Sequence, residues 1–405
     1  MPMAEVIRKI YLDRLLSGRG RPDTVKIITG MRRSGKTVLM KQYMDLLRGS
    51  GVPDSQMIYL NFESRALAHV TDHLKLLEEI DKKYSGRRTY VFLDEVQTVK
   101  HWEKAVSSLQ TDYDADIYIA GSNADLLPDY LSACISGRYT ELRILPLSFK
   151  EFLELHPGDR EDRLRQYVIT GSLPAADPDA DEMFENDHLI GLFNTVLLND
   201  VVGNCRGGDV GTLTEIVRFL YSNIGNMTSA NNIAVTIKKN PEKVRSYLDA
   251  LQKAFLIYKA GRYDIRGKKP LNTLEKYYVP DTGMRNSVLR ASSGEDISRQ
   301  IENIVYLELL RRGYEVAVGK YGSREVDFIA RRGCEIQYFQ VTMSMMAEGA
   351  YEREIAPFRL IRDSYPKAVL SMDTFVTDLP DGIQHSNLLD WLLDEYRGVG
   401  DRDTA

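Results

Sequence analysis

The chain has 405 residues, with 53 Lys and Arg against 58 Asp and Glu, a net charge of −5, and 43% hydrophobic and 27% charged residues. At about 100–200 residues per domain this length carries two to four domains, and the composition excludes a disordered chain. Cys134, Cys205 and Cys334 stand too far apart for a disulfide framework or a metal-ligand spacing, no apolar run approaches the ~18 residues of a spanning helix, and the charged N-terminus lacks a signal peptide's apolar core, so the reading is a cytoplasmic protein with no membrane partner.

In chain order, residues 1–18 mix charge and apolar side chains at helical spacing. Short runs rich in β-branched and aromatic types follow at 25–29 (VKIIT), 57–61 (MIYLN), 90–93 (YVFL), 117–120 (IYIA) and 140–145 (TELRIL), separated by amphipathic stretches. That alternation predicts a parallel sheet with helices on its faces, one α/β domain over residues 1–150. Residues 151–205 read as a helical lid or linker, interrupted by the turn-rich stretches HPGDRED and GSLPAADPDADE. Over 206–290 three short amphipathic stretches precede extended segments, an order that suits a winged helix. Residues 291–405 open on a helix (ISRQIENIVYLELLRRG), alternate through three extended segments, and close with a helix near 356–363 and a strand near 368–371, a second α/β unit.

The sharpest motif is GMRRSGKT at 30–37, which fits G-x-x-x-x-G-K-[ST] between a β-branched run and an apolar-periodic helix. In such a loop the residues from Gly30 through Met31, Arg32, Arg33, Ser34 and Gly35 wrap phosphate with backbone N–H groups, aided by the helix N-terminus at Val38. Lys36 reaches the terminal phosphates and the Thr37 hydroxyl ligates Mg²⁺. The run 90–93 delivers Asp94 and Glu95 to a strand's C-terminal edge. Asp94 is placed to hold the magnesium, and Glu95 to polarise the water that attacks the γ-phosphate of ATP. At the end of IYIAGSN, Ser122 or Asn123 is the candidate γ-phosphate sensor, with Asn123 carried as the choice; a plain helix cap is the alternative. His69 and His73, four apart on an expected helix, read as solvated surface.

GMRRSGKT, YVFLDEVQ, IAGSNADLL, SGRYTELRILPLSFKEFL and YVPDTGMRN, in this order, resemble the bacterial and archaeal AAA-type ATPases whose nucleotide domain is followed by a winged helix and a C-terminal domain of unknown function. The resemblance implies ATP and Mg²⁺ as cofactors. The fold class is then α/β, with a P-loop AAA-type sheet, a helical lid, a winged helix and a PD-(D/E)xK-like tail. It also implies an arginine finger at Arg138, just before the fifth strand; acting in trans it requires a homo-oligomer, and the alternative is a helix C-terminal arginine complementing the dipole.

Between Gly211 and Pro270 eleven basic residues face four acidic ones, a local +7 in an acidic chain. That is the footprint of phosphate-backbone contact, with Lys243, Arg245 and Lys253 on the expected recognition helix and 266–269 as the wing. Double-stranded DNA is the expected partner and a protein the alternative. In the tail, Glu302, Asp327 and the run Gln340-Val341-Thr342 resemble the core of the PD-(D/E)xK nuclease fold. Gln340 stands where a metal-binding acid is usual and Thr342 where the lysine is, which weakens cation binding and water activation; the expectation is a nuclease-like fold kept for docking.

Overall fold

Runs that are apolar on consecutive residues suit strands covered on both faces. In the computed structural model, which describes residues 6–123, 138–204, 209–290 and 296–394, three such runs form the strands Val25–Thr29 (β1), Thr89–Asp94 (β3) and Ala115–Gly121 (β4), flanked by the less buried Met57–Asn61 (β2) and Tyr139–Arg143 (β5). They pair in parallel in the order β2-β3-β4-β1-β5. Alternate residues feed two cores. Ile28, Phe92 and Tyr118 face helices Lys9–Ser17 (α1) and Lys36–Gly49 (α2). Their neighbours Ile27, Val91 and Ile117 face His73–Asp81 (α3) and Trp102–Asp112 (α4). β1, β3 and β4, buried along their whole length, are the strands whose C-terminal ends carry the motifs.

The chain divides into two compact units, Met1–Pro146 with Lys253–Phe255, and Leu147–Gln252 with Leu256–Ala405. In the second, helices Phe149–Leu155 (α5), Arg160–Thr170 (α6) and Glu182–Val196 (α7) fall either side of the two turn-rich stretches. Ser148 and Glu151 form a reciprocal capping box at α5. Helices Val210–Ser222 (α8), Ala230–Ile237 (α9) and Pro241–Lys253 (α10) precede the hairpin Tyr258–Asp264 (β6) and Lys269–Tyr278 (β7), then Thr282–Leu289 (α11) and Ile297–Arg311 (α12). The hairpin does not stand apart. β6 pairs in parallel with Glu315–Tyr321 (β8), which continues through Arg324–Arg332 (β9), Glu335–Val341 (β10), Lys367–Ser371 (β11) and Ile383–Asn387 (β12) as one seven-stranded sheet.

One expectation needs correction in register. The helix expected near 356–363 runs Ala350–Leu360 (α13), starting from Gly349 at φ +70° and carrying Pro357 inside it. β12 and the closing helix Leu388–Leu393 (α14) were not expected.

Asp281 ties this unit together. It is 1% exposed, and its carboxylate accepts from the Ser172 N–H, from Ser172 Oγ at 3.0 Å and from the Met284 N–H at 2.6 Å. Gly171 (φ +87°) and Gly283 make room for this: a Cβ on Gly171 would lie 2.4 Å from the Asp281 oxygens, and one on Gly283 would lie 2.0 Å from the Thr170 carbonyl.

Candidate functional site

The order of the first sheet sets β4 between β1 and β3, so the three motif-bearing ends converge at one carboxyl edge, where ligands of open parallel sheets bind. Gly30 leaves β1 at φ +148°, with the space for its Cβ occupied by the Ile144 carbonyl oxygen at 2.3 Å. Arg33 takes a left-handed φ of 66° and Gly35 one of 98° before α2 begins. Met31 and Ser34 are fully buried, Arg33 is exposed, and Arg32 turns to Glu63 at 2.9 Å. Lys36, Thr37 and Val38 make the first turn of α2.

The loop is folded around its own lysine. Lys36 Nζ donates to the carbonyls of Gly30 at 3.0 Å and Met31 at 3.1 Å, and lies 3.9 Å from Glu95 Oε1. Below it, Thr37 Oγ1 donates to Asp94 Oδ2 at 2.8 Å. The Tyr59 hydroxyl donates to the same oxygen at 2.8 Å, and Asn61 Nδ2 at 3.4 Å. Asp94 is fully buried, and its Oδ1 has no hydrogen-bond partner. Burial pushes the Asp94 carboxyl above its ordinary range, with the neighbouring Glu95 charge adding to it and the Thr37 and Tyr59 hydrogen bonds opposing it.

An oxygen pair from Thr37 and Asp94, with one carboxylate oxygen buried and uncommitted, fits a hard divalent cation, which takes oxygen ligands. Ser34 Oγ is a second buried oxygen without a partner.

Glu95 adopts a left-handed φ of 55°, with its N–H on the Ala120 carbonyl at 2.8 Å. Its Oε2 accepts from Gln97 Nε2 and from the Ser122 N–H and Oγ at 3.3 and 3.2 Å. The strand end of β4 therefore holds the Glu95 carboxylate directly, through Ser122, while Asn123 beside it is 8% exposed. The helix that Asn123 would cap lies outside the described residues, as do Cys134 and Cys205. Tyr59, Asn61 and Gln97 are site residues that sequence reasoning passed over; only the adjacency of β2 to β3, a property of the sheet order, marks the first two.

Arg138 is not part of this constellation. Tyr139, the residue after it, pairs with Val25 at the start of β1, five residues from the phosphate loop. At about 3.3 Å per residue that is roughly 17 Å away. The two histidines separate as well: His73 opens α3, while His69 lies in the turn before it and bonds Glu79 at 3.0 Å.

Residues 22–153 match the family model of the AAA domain, and residues 161–295 that of a domain of unknown function (DUF8612). An uncharacterized protein of Haemophilus influenzae is 38% identical over an alignment of 405 residues, spanning 97% of this chain and 100% of that one. The chain belongs to this family of AAA-domain proteins. A second relative, an uncharacterized protein of Methanocaldococcus jannaschii, is 29% identical over 330 residues, 76% of this chain and 72% of its own. The Aeropyrum pernix ORC1 protein, solved in complex with DNA, covers 72% of this chain and 94% of its own at 13% identity and a TM-score of 0.29; a similarity that low speaks neither for a shared fold nor for a shared partner. The first unit is a P-loop AAA-type domain, for which nucleotide binding is the family expectation. No helix among the described residues is long and apolar enough to cross a membrane.

In the second unit the basic side chains are partly answered. Lys243 lies 3.6 Å from Asp209, Arg245 donates to Asn231 at 2.9 Å, and Lys259 lies 3.2 Å from Glu275. The turn 265–268 leaves Arg266 and Lys268 exposed, with Lys269 exposed at the start of β7.

The tail brings its expected residues together. Glu302 is on α12, Asp327 on β9 and Gln340 on β10. Gln340 accepts from the Asp327 N–H at 2.7 Å and donates to Glu354 at 2.8 Å, and Asp327 accepts from the Val341 N–H at 2.9 Å. Thr342 is 8% exposed and supplies no charge. The ammonium among these acids is Lys276 of β7, 2.9 Å from both Glu302 and Glu325. Burial, with the Glu302 charge beside it, pushes the Asp327 carboxyl well up. Lys276 was missed because it stands 51 positions before Asp327, in the hairpin.

Proposed function

We propose that the first unit binds and hydrolyses Mg–ATP, and that its nucleotide state is coupled to contact with duplex DNA through the segment α8 to β7, acting as a basic winged helix. The observation that carries the reading is the Thr37–Asp94 hydrogen bond at 2.8 Å beneath Lys36, with Asp94 Oδ1 buried and unpartnered. The phosphate loop and Lys36 take the phosphates, and Thr37 and Asp94 would hold a divalent cation, which would neutralise phosphate charge. Glu95, held by Ser122 and Gln97, orients water for attack on the γ-phosphate. Asn123, at the end of the strand between, senses the γ-phosphate. Arg138, at the far edge of its own sheet, reaches a phosphate only in a neighbouring copy, as an arginine finger in trans.

Lys243 and Arg245, with the exposed turn 265–268, are the duplex contacts. The tail is a nuclease-like fold used for docking. A protein partner is the second reading, favoured by the acids Asp209 and Glu275 that already answer part of the basic face.

The test is steady-state ATP hydrolysis with and without duplex DNA, at low and higher salt, with Glu95→Gln as the blank. Stimulation by duplex that fades as salt rises is the expected result. Turnover dependent on Glu95 but indifferent to DNA replaces the DNA reading with the protein one, and turnover unchanged in Glu95→Gln refutes the catalytic assignment.

A further inference from the structure

Arg8 precedes α1 and lies 26 residues before Ser34 of the phosphate loop, outside every motif. It is 2% exposed. A guanidinium is charged at all relevant pH values and is seldom buried unless its donors are taken. Here Nη1 donates to the Ser34 carbonyl at 3.0 Å, and Nη2 to the carbonyls of Leu145 at 2.9 Å and Pro146 at 3.5 Å. One fork thus spans the phosphate loop and the peptide that leaves β5. That peptide is fixed on its own account: the Ile144 N–H donates to the Thr29 carbonyl at 2.7 Å and the Leu145 N–H to the Tyr11 hydroxyl at 3.1 Å. Gln42 of α2 holds the segment before Arg8 in place, donating to the Val6 carbonyl at 2.8 Å and accepting from the Arg8 N–H at 3.3 Å.

The consequence follows from the geometry of one peptide unit. The bond between Ser34 and Gly35 is planar and trans, so its C=O and N–H point in opposite directions. A cation fixed on the Ser34 oxygen therefore fixes the direction of the Gly35 N–H on the other side and polarises it as a donor. In a phosphate loop the backbone N–H groups are the ligands of the anion. We propose that Arg8 is a positioning residue of the nucleotide site: by holding the Ser34 carbonyl against the exit peptide 145–146, it pre-aims the Gly35 N–H at the phosphates. This rests on the nucleotide reading above.

The test uses the full chain and its Arg8→Met and Arg8→Lys variants, with Kd for ATP and ADP, KM and kcat for hydrolysis, and the thermal midpoint without nucleotide. The Gly35 N–H meets phosphate in the ground and transition states alike, so its loss raises KM and leaves kcat within about twofold. One charge-assisted hydrogen bond sets the scale at on the order of tenfold in Kd for Arg8→Met. Arg8→Lys keeps the charge but cannot span Ser34 and Leu145 together, and weakens binding by about threefold on the same scale. A folded Arg8→Met that binds ATP within twofold of wild type overturns the proposal. So does a fall in kcat as large as the rise in KM, which marks a merely structural arginine. Where Arg8→Met does not fold, Arg8→Lys decides, and unchanged affinity in it overturns the proposal. A wild-type chain that binds neither ATP nor ADP sinks the nucleotide reading itself, and is told apart by failing before any variant is compared.

Discussion

Replacing Asp94 by Asn should make the nucleotide-free protein more stable and the nucleotide-loaded protein less so. Without ligand, Asp94 is a buried carboxylate whose Oδ2 takes three donors and whose Oδ1 takes none. A buried polar oxygen left without a partner costs about 1–3 kcal/mol, more when charged. An amide keeps one oxygen for Thr37 and Tyr59 and removes the charge, so a gain of about 1–2 kcal/mol is expected, about 4 °C per kcal/mol for a unit of this size. Wild type gains about 2.7 kcal/mol from ligand at one hundred times its Kd, and this Mg²⁺-dependent gain is what Asp94→Asn forfeits. The two curves therefore cross: the variant melts higher alone and lower with Mg–ATP.

The pH dependence gives a second arm. The folded carboxyl is raised above its unfolded value, so its contribution to stability is fully present below about pH 4 and lost as pH rises through the folded pKa. The advantage of Asp94→Asn thus opens as pH rises above about 4 and is absent below it. Differential scanning of both proteins, with and without Mg–ATP, is the assay. A variant that is less stable without ligand, or that keeps the full Mg²⁺-dependent shift, refutes the reasoning.

Gly30→Ala places a Cβ 2.3 Å from the Ile144 carbonyl oxygen at φ +148°, and should cost about 3 kcal/mol; an unchanged urea midpoint contradicts it. Asp281→Ala leaves the Ser172 and Met284 donors buried without an acceptor and should destabilise by about 3–5 kcal/mol, read as a loss of the second unit's cooperative transition. Lys276→Met strips the ammonium from Glu302 and Glu325. Its deficit should be about 3 kcal/mol; an unchanged urea midpoint disproves the electrostatic account.

What the sequence made legible is what is local. The strand, the loop and the first turn of α2 are consecutive, and each needs its own residue types, so GMRRSGKT could be read with its context. Asp94 and Glu95 were legible only in company: an apolar run that ends in two acids is common by itself, and the phosphate loop upstream is what gives it a place at the edge of a buried strand. Arg8, Tyr59 and Lys276 were not legible, since each reaches its partners only through the sheet order or through a segment crossing 26 to 137 positions. Proline ordinarily argues for a helix start, while here Gly349 opens the helix and Pro357 sits within it.

The basic window shows the same limit in electrostatic form. Counting residues 211–270 gives +7, but Asp209 lies just before the window and Glu275 just after it, and both fold back onto lysines inside it. The field a duplex would meet is therefore weaker than the linear count at Lys243 and Lys259. At the turn 265–268 Arg266 and Lys268 are exposed, and the Asp264 carboxylate beside Gly267 is already in the count. If DNA is the partner, Arg266→Glu with Lys268→Glu should reduce the salt slope of duplex binding by about as many units as phosphate contacts are lost, and by more than Lys259→Glu does. Equal effects at the turn and at Lys259 would mean that local charge pairing does not shape the contact.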